Sequence, residues 1–235
     1  TPADAIQLLQ EYASRTVAMD VVERYDVKNP RLASLFLARC MASSGRELSV
    51  NKVYNEFKSR QISVSRNTLS DLLEYYEDAY LLFSVPEFTR SLANNTRSAS
   101  KVYAVDPAMF GAFSPASALD HGQRLETAVF NALRRRTPAV RPGSVCRLLI
   151  KDKNKSHEVD FVAGDALLMQ AYGLIQVSVD MTSEKTRERE IAALDAAMAQ
   201  FDLGESVIVT MDEQADIPCK HGVVHAVPAW KWLLS

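Results

Sequence analysis

The first half of the chain is a series of helix-length segments with apolar residues every three or four positions, separated by short polar breaks. Through residues 1–25 this spacing predicts one helix. Asn29 and Pro30 then end it, because proline lacks an amide proton and biases the residue before it away from helical backbone. Further helices are predicted over Arg31–Ala42, Val50–Ser59 and Arg66–Ala79. Ser49 and Ser65 stand directly before the last two, where a serine side chain caps free helical amides.

Two strand-like segments follow these helices. Tyr80–Phe88 and Lys101–Asp106 are predicted strands, and they flank the polar residues 89–100. The predicted order is therefore two helices, a tight turn, a third helix and two strands around a polar loop. This is the order of a winged helix-turn-helix domain. We therefore expect such a domain over residues 1–106, although the apolar spacing by itself establishes only a small helical domain.

The helix after Ser65 is the candidate nucleic-acid-binding helix of that domain. Its first turn offers polar groups suited to phosphates or base edges, namely Ser65, Arg66, Asn67 and Thr68. Its later turns are acidic and would repel a duplex, through Asp71, Glu74, Glu77 and Asp78. The sequence thus leaves open both DNA recognition and a winged helix that packs on protein.

The second half is predicted to begin after a loop-like linker. Proline, glycine and serine punctuate residues 107–118, so we place the domain boundary there and a second domain over residues 119–235. Helices are predicted over Asp120–Arg136 and Glu184–Phe201, and strands over Cys146–Lys151, His157–Ala163, Leu174–Val179, Ser206–Thr210 and Val223–Val227. This order indicates an α/β domain with helices packed on a mixed sheet, and hence a two-domain α+β protein.

The helix predicted over Glu184–Phe201 is amphipathic. Its buried positions are expected to be Ile191, Leu194, Met198 and Phe201. The mixed charges of Thr182–Glu190 predict a solvated helix face with i,i+4 pairs.

Four residues of the second domain fall where a metal-dependent nuclease of the PD-(D/E)xK type carries its catalytic groups. That type has a glutamate on the first helix, an aspartate on a central strand, and an acid-x-lysine pair on the next strand. The corresponding residues are Glu126, Asp160, Gln176 and Ser178. Carboxylate oxygens bind Mg²⁺, which polarises a phosphate and lowers the pKa of an attacking water. Glu126 and Asp160 are therefore the candidate metal ligands.

The last two positions depart from that chemistry. Gln176 is a weaker ligand for a hard cation than a carboxylate, and Ser178 carries no positive charge in place of the lysine. Single electrostatic contributors are worth roughly 3–4 kcal/mol of transition-state stabilisation, so we expect a degenerate, inactive site. The alternative is a relocated lysine near the predicted turn Asp152–Lys155, supplied by Lys151, Lys153 or Lys155.

Read in order, these segments resemble the C-terminal half of prokaryotic P-loop ATPases of the AAA-like archaeal ATPase type that carry a DUF4143 domain. The segments that carry the resemblance are residues 20–25, 49–55, 72–82, 101–106, 122–126, 158–161, 175–178 and 186–190. It implies an ATPase domain, with its ATP, before a winged helix and a PD-(D/E)xK-like domain. This chain has no GxxxxGK(S/T) phosphate-binding loop, which excludes ATP hydrolysis by it. Its start at Thr1, without a methionine, suggests a fragment.

Composition and charge narrow the classes of protein to which this chain could belong. The 235 residues carry 27 Lys and Arg against 29 Asp and Glu, a net charge of −2, which excludes a globally basic nucleic-acid binder and leaves local contacts. Three separated cysteines exclude a disulfide scaffold and fit a reducing cytoplasm. No apolar run approaches the roughly 18 residues of a membrane span, and no signal peptide is recognisable.

These observations favour a recognition and regulatory region of such an ATPase. A winged helix and an inactive nuclease-like domain would contact nucleic acid or a protein partner, and the ATPase domain itself would be one partner. The alternatives are an active Mg²⁺-dependent nuclease and a pure protein-interaction module.

Overall fold

The structure is a computed structural model, and it describes residues 2–90, 100–113, 120–136, 144–151 and 156–235. The chain divides into two compact units. Unit 1 comprises the described residues of Thr1–Ser84 and Ser98–Thr127, and unit 2 comprises those of Val85–Arg97 and Ala128–Ser235. The fold is α+β, with helices and two sheets. Within the described ranges, every helix is too short or too polar to cross a membrane.

Unit 1 is mainly helical and carries a three-stranded sheet. Its helices are α1 (Pro2–Thr16), which continues as a π-helical stretch (Val17–Glu23), α2 (Pro30–Met41), α3 (Val50–Ser59), α4 (Arg66–Asp78) and α5 (Pro107–Phe113). Its strands are β1 (Arg46–Leu48), β2 (Leu82–Val85) and β3 (Ser100–Ala104). The sheet order is β1-β3-β2, with β1 antiparallel to β3.

Serine caps fix the starts of α3 and α4. The Ser49 hydroxyl accepts a hydrogen bond from the Lys52 amide at 3.3 Å, and the Ser65 hydroxyl accepts one from the Thr68 amide at 3.0 Å. Each cap satisfies an amide that has no partner within the helix. The predicted starts of both helices are confirmed.

The core of unit 1 lies where α2, α3 and α4 pack around aromatic side chains. Phe36 on α2 meets Phe57 on α3 edge-on, with ring centroids 6.3 Å apart, and Tyr76 on α4 at 5.9 Å. The buried Tyr76 hydroxyl donates to the carbonyl oxygen of Ala33 at 2.5 Å. This bond satisfies the polar group that tyrosine brings into the core.

Two elements of unit 1 differ from the sequence prediction. The apolar pattern did not predict β1, because three residues are too few for an alternation to be recognised. Residues 107–113 were predicted as linker but form α5, which buries Met109, Phe110 and Ala112, so the linker prediction is wrong there. Residues 114–119 of that linker, and residues 91–99 of the predicted polar loop, lie outside the described residues.

Unit 2 is built on a six-stranded mixed sheet. Its strands are β4 (Val145–Lys151), β5 (Ser156–Asp165), β6 (Gln170–Val177), β7 (Glu205–Thr210), β8 (Ala215–Pro218) and β9 (Val223–Pro228), in the order β4-β5-β6-β7-β9-β8. The pairs β6-β7 and β7-β9 are parallel, and the other pairs are antiparallel. The mixed sheet is confirmed, β8 was not predicted, and the predicted turn at 152–155 lies outside the described residues.

Three helices accompany this sheet. They are α6 (His121–Arg136), whose first residues belong to unit 1, α7 (Glu184–Phe201) and α8 (Ala229–Leu234). The predicted span of α7 is confirmed, and its buried face consists of Glu190, Ala193, Leu194, Ala197 and Met198. α7 packs on β5 and β6 and connects β6 to the parallel strand β7, the crossover that parallel strands require.

Gly222 and Gly204 offer a matched test of backbone packing at the start of β9. A β-carbon at Gly222 would lie 2.1 Å from the Gly204 carbonyl oxygen, whereas one at Gly204 meets nothing within 4 Å. That carbonyl also accepts the Val223 amide at 2.9 Å, which restrains the backbone. Gly222→Ala should lower the free energy of unfolding by about 1–3 kcal/mol, as overpacking does.

Gly204→Ala should leave the free energy of unfolding within about 1 kcal/mol of the parent value. Urea denaturation of both variants measures the difference. Equal destabilisation of the two would contradict the packing at Gly222.

Candidate functional site

A buried polar cluster joins β5, β6 and α7 in unit 2. It contains Asp160 on β5, Gln176 on β6 and Glu190 on α7, which are 8%, 5% and 5% exposed. β5 and β6 are adjacent antiparallel strands, and α7 packs on both. Burying two acids and an amide is costly unless their polar atoms are hydrogen-bonded, so the partners of this cluster define what it can do.

The Gln176 side chain is bonded at both ends. Its Oε1 accepts the backbone amide of Asp160 at 3.0 Å, and its Nε2 donates to Oε2 of Glu190 at 2.6 Å. Oδ2 of Asp160 in turn accepts the backbone amide of Val177 at 3.1 Å. The two strands and the helix are therefore joined through side chains as well as through the sheet.

Arg189 supplies a positive charge beside this cluster. Its Nε donates to Oε1 of Glu190 at 3.1 Å, and its Nη2 bonds to the same oxygen. The hydrogen bond and charge of Glu190, with a further contribution from Asp160, raise the pKa of the Arg189 guanidinium, while burial opposes them. The Arg189 side chain is 70% exposed, so this cation contacts the buried cluster on one side and solvent on the other.

The predicted nuclease residues are distributed over both units. Asp160 and Gln176 come together in unit 2, as described. Glu126 belongs to unit 1, where its Oε1 accepts the Tyr103 hydroxyl at 2.7 Å and pairs with the Lys101 ammonium at 3.1 Å. The Glu126 carboxylate therefore forms an ion pair with Lys101, in which the Glu126 side chain is 15% and the Lys101 side chain 11% exposed.

The position of the missing lysine is also filled differently. The Ser178 hydroxyl donates to the carbonyl oxygen of Asp180 at 3.1 Å, and its amide donates to Val209 at 3.0 Å. Lys151 is exposed, and Lys153 and Lys155 lie outside the described residues. The Arg189 guanidinium lies within electrostatic range of Asp160.

The donor set does not fit the predicted Mg²⁺ site. Gln176 Oε1 and one Asp160 oxygen accept backbone amides, and the Glu126 carboxylate is bound to Lys101 and Tyr103. Among the residues that the structure describes, no three His, Cys, Asp or Glu side chains form a group that could hold a metal ion.

Sequence reasoning missed Glu190 and Arg189, and the prediction of a solvated face is wrong for Glu190. Glu190 precedes the buried residues Ala193, Leu194, Ala197 and Met198 by three, four, seven and eight positions. That spacing places it on the buried stripe of α7. The signal was present, but the surrounding mixed charges obscured it.

The predicted nucleic-acid-binding turn divides into caps and exposed groups. The Ser65 hydroxyl bonds to the amide of Thr68 at 3.0 Å and to its hydroxyl at 2.8 Å, so these two side chains stabilise the start of α4. Arg66 and Asn67 are exposed. The Arg66 guanidinium lies 4.4 Å from the ring centroid of Tyr54 on α3. The exposed groups of this turn that do not cap the helix are thus one cation and one amide.

Comparison with known proteins gives relatives without an assigned activity. A family model described as a domain of unknown function (DUF8612) matches residues 1–120. The uncharacterized protein MJ1544 of Methanocaldococcus jannaschii is 31% identical over 235 residues, which cover 97% of this chain and 50% of that protein. An uncharacterized protein of Haemophilus influenzae is 24% identical over 150 residues, covering 64% of this chain and 35% of that protein. No solved structure matches.

These matches correct the resemblance drawn from the sequence. The resemblance to ATPases that carry DUF4143 is wrong, because the family model that matches is DUF8612 and the relatives are uncharacterized proteins. The ATPase domain and the ATP that it implied lose their support with it. The chain spans about half the length, or less, of these relatives.

Removing the Glu190 carboxylate tests the buried cluster. Glu190→Ala leaves the Nε2 group of Gln176 buried without its acceptor, which should lower the free energy of unfolding by about 1–3 kcal/mol. Glu188→Ala removes an exposed carboxylate from the same helix and should change stability by less than about 0.5 kcal/mol. Chemical denaturation compares them, and equal stability of the two variants would contradict the bond from Gln176 to Glu190.

Proposed function

We propose that this chain, which belongs to the DUF8612 family, recognises nucleic acid through α4 of unit 1, and that unit 2 is a nuclease-like domain that makes contacts instead of cutting. The observation that carries the proposal is the element order of unit 1. Helix, strand, helix, helix and two strands, with the sheet order β1-β3-β2, is the arrangement of a winged helix domain. In such a domain the helix in the position of α4 is the recognition helix.

The exposed groups at the start of α4 support this role. Arg66 can bond to a phosphate or to a guanine edge, and Asn67 can bond to an adenine edge. Tyr54 lies under the Arg66 guanidinium and orders it, so less conformational entropy is lost when it binds. The exposed Lys52 and Lys58 of α3 add positive charge to the helix that precedes α4.

The acidic later turns of α4 limit the contact to its first turn. Asp71, Glu74 and Asp78 are exposed, and they would repel phosphates along the rest of the helix. We therefore expect a weak, salt-dependent interaction with DNA. A protein partner for the same helix is the competing interpretation. We propose that either contact is made in the cytoplasm, because the three cysteines are free thiols.

The element order of unit 2 supports a nuclease-like origin. A PD-(D/E)xK domain is expected to have the order helix, three strands, helix, strand. The same order is found here in α6, the antiparallel strands β4, β5 and β6, the crossover helix α7 and the parallel strand β7. Asp160 occupies the strand position of the catalytic aspartate, whereas Gln176 and Ser178 replace an acid and a lysine. Each lost electrostatic group is worth roughly 3–4 kcal/mol of transition-state stabilisation, which favours contact over cleavage.

Cleavage is the second candidate function, and one observation favours it. The Arg189 guanidinium lies beside Glu190 and within electrostatic range of Asp160, and so supplies the positive charge that Ser178 lacks. A guanidinium can stabilise the negative charge that develops on a phosphate oxygen.

DNA binding tests the role of α4. Fluorescence anisotropy of a labelled duplex should show binding at low salt whose affinity falls steeply as salt rises. Arg66→Ala should weaken binding about tenfold and lower the salt slope by about one.

Arg15→Ala, an exposed arginine of α1, is the control and should bind like the parent protein. Thermal unfolding of both variants excludes a loss of fold. No binding even at low salt would reject nucleic-acid recognition and leave the protein-partner interpretation.

A cleavage assay tests unit 2. Plasmid and branched DNA incubated with the chain and Mg²⁺ should remain intact. Cleavage that is lost in Asp160→Ala and in Arg189→Ala, but kept in the exposed control Lys185→Ala, would establish the enzyme and overturn the contact role.

A further inference from the structure

Unit 1 contains a pocket of about 360 Å³ that borders α4. One wall is formed by the segment after the π-helical stretch and by the start of α2, and another by the turn before α4. α4 itself contributes Thr68, Asp71, Leu72 and Tyr75. Ligand pockets in proteins begin at about 300 Å³, so this one has room for a molecule of one or two rings.

Aromatic and apolar side chains form part of the pocket wall, beside the polar side chains of Lys28, Asn29, Ser63, Thr68 and Asp71. The rings of Tyr25 and Tyr75 stack with centroids 3.8 Å apart and an angle of 5° between their planes. The Tyr25 hydroxyl donates to Asp78 at 2.6 Å, which fixes that ring. Leu32 and Leu72 also line the pocket, and both are buried. A flat, apolar ligand body fits these surfaces.

The charges around the pocket favour a cation. Asp71 has no ion pair among the described residues. Lys28 also lines the pocket, and its ammonium is paired with Asp26 in an exposed ion pair. The Arg24 guanidinium lies 5.4 Å from the Tyr25 ring centroid, and the Asp78 carboxylate accepts the Tyr25 hydroxyl. Of the two charged side chains that line the pocket, Lys28 thus has an acidic partner, and Asp71 is without an ion pair in the described part of the chain.

We propose that this pocket binds a small aromatic amine, with its ring system against the tyrosine stack and its ammonium group at Asp71. An ammonium next to a carboxylate forms a charge-assisted hydrogen bond, and aromatic walls add a cation–π attraction. An aromatic acid of the same size would place a second negative charge beside Asp71.

Occupancy of the pocket also acts on the DNA contact, a consequence that rests on the proposed function. Thr68 both lines the pocket and bonds to Ser65, the cap of α4. An ammonium at Asp71 neutralises one of the acids that repel a duplex. Bound amine therefore increases DNA affinity, and by linkage DNA increases the affinity for the amine by the same factor.

Calorimetric titration of the whole chain with tryptamine tests the site. Tryptamine should bind saturably, and indole-3-acetate, which has the same ring and the opposite charge, should bind at least tenfold more weakly. Asp71→Asn should weaken tryptamine binding about tenfold, as loss of a charged hydrogen bond does. Glu74→Gln removes an exposed carboxylate of α4 that does not line the pocket, and should bind tryptamine like the parent chain.

Equal binding of the amine and the acid, or tryptamine binding that Asp71→Asn does not change, would overturn the site. The DNA titration is then repeated with saturating tryptamine, where we expect a roughly threefold gain in affinity that Asp71→Asn abolishes. Tryptamine binding without any DNA binding would reject the proposed function and keep the pocket. DNA binding without tryptamine binding would reject the pocket alone.

Discussion

The buried amide of Gln176 is the interaction on which the polar centre of unit 2 depends. It accepts a backbone amide from β5 through one atom and donates to Glu190 of α7 through another. A glutamate at this position could accept the first bond but could not donate the second, so the neutral residue suits the buried Glu190 partner. The exchange of acid for amide that weakens a metal site thus stabilises the contact between strand and helix.

Unit 1 depends on a different constraint, because a small three-stranded sheet must form beside three packed helices. β3 lies between β1 and β2, so segments more than 50 residues apart in sequence share one sheet. The helical core and this sheet together hold α4 with its first turn exposed. Within four positions, the capping pair Ser65 and Thr68 flanks the two residues that could contact a ligand, Arg66 and Asn67.

Much of this fold could be predicted from the sequence, because long amphipathic helices and buried strands leave clear periodic signals. α3 and α4 begin where the capping serines indicated, and α7 begins where the predicted amphipathic helix did. The short strands β1 and β8 and the helix α5 were missed, because three to seven residues carry too little periodicity and because Pro107 and Gly111 resemble loop signals.

The site was harder to predict than the fold. Asp160 and Gln176 were found because each occupies a strand with a strong apolar frame. Glu190 was missed because its neighbours are charged, and the ion pair of Glu126 with Lys101 could not be foreseen because it depends on tertiary packing between distant segments. Family resemblance judged from scattered short segments proved wrong, since each segment reflects general helix and strand composition more than ancestry.

The outer strand β8 has a consequence for self-association. It is only four residues long, it carries an exposed aspartate, and it ends in Pro218, which has no amide proton to offer. Asp216 also bonds across to His225 on β9, at 2.7 Å. A strand of another molecule that paired with β8 would find few amide donors, and the Asp216 carboxylate is already hydrogen-bonded. This edge of the six-stranded sheet is therefore protected against association with strands of other molecules.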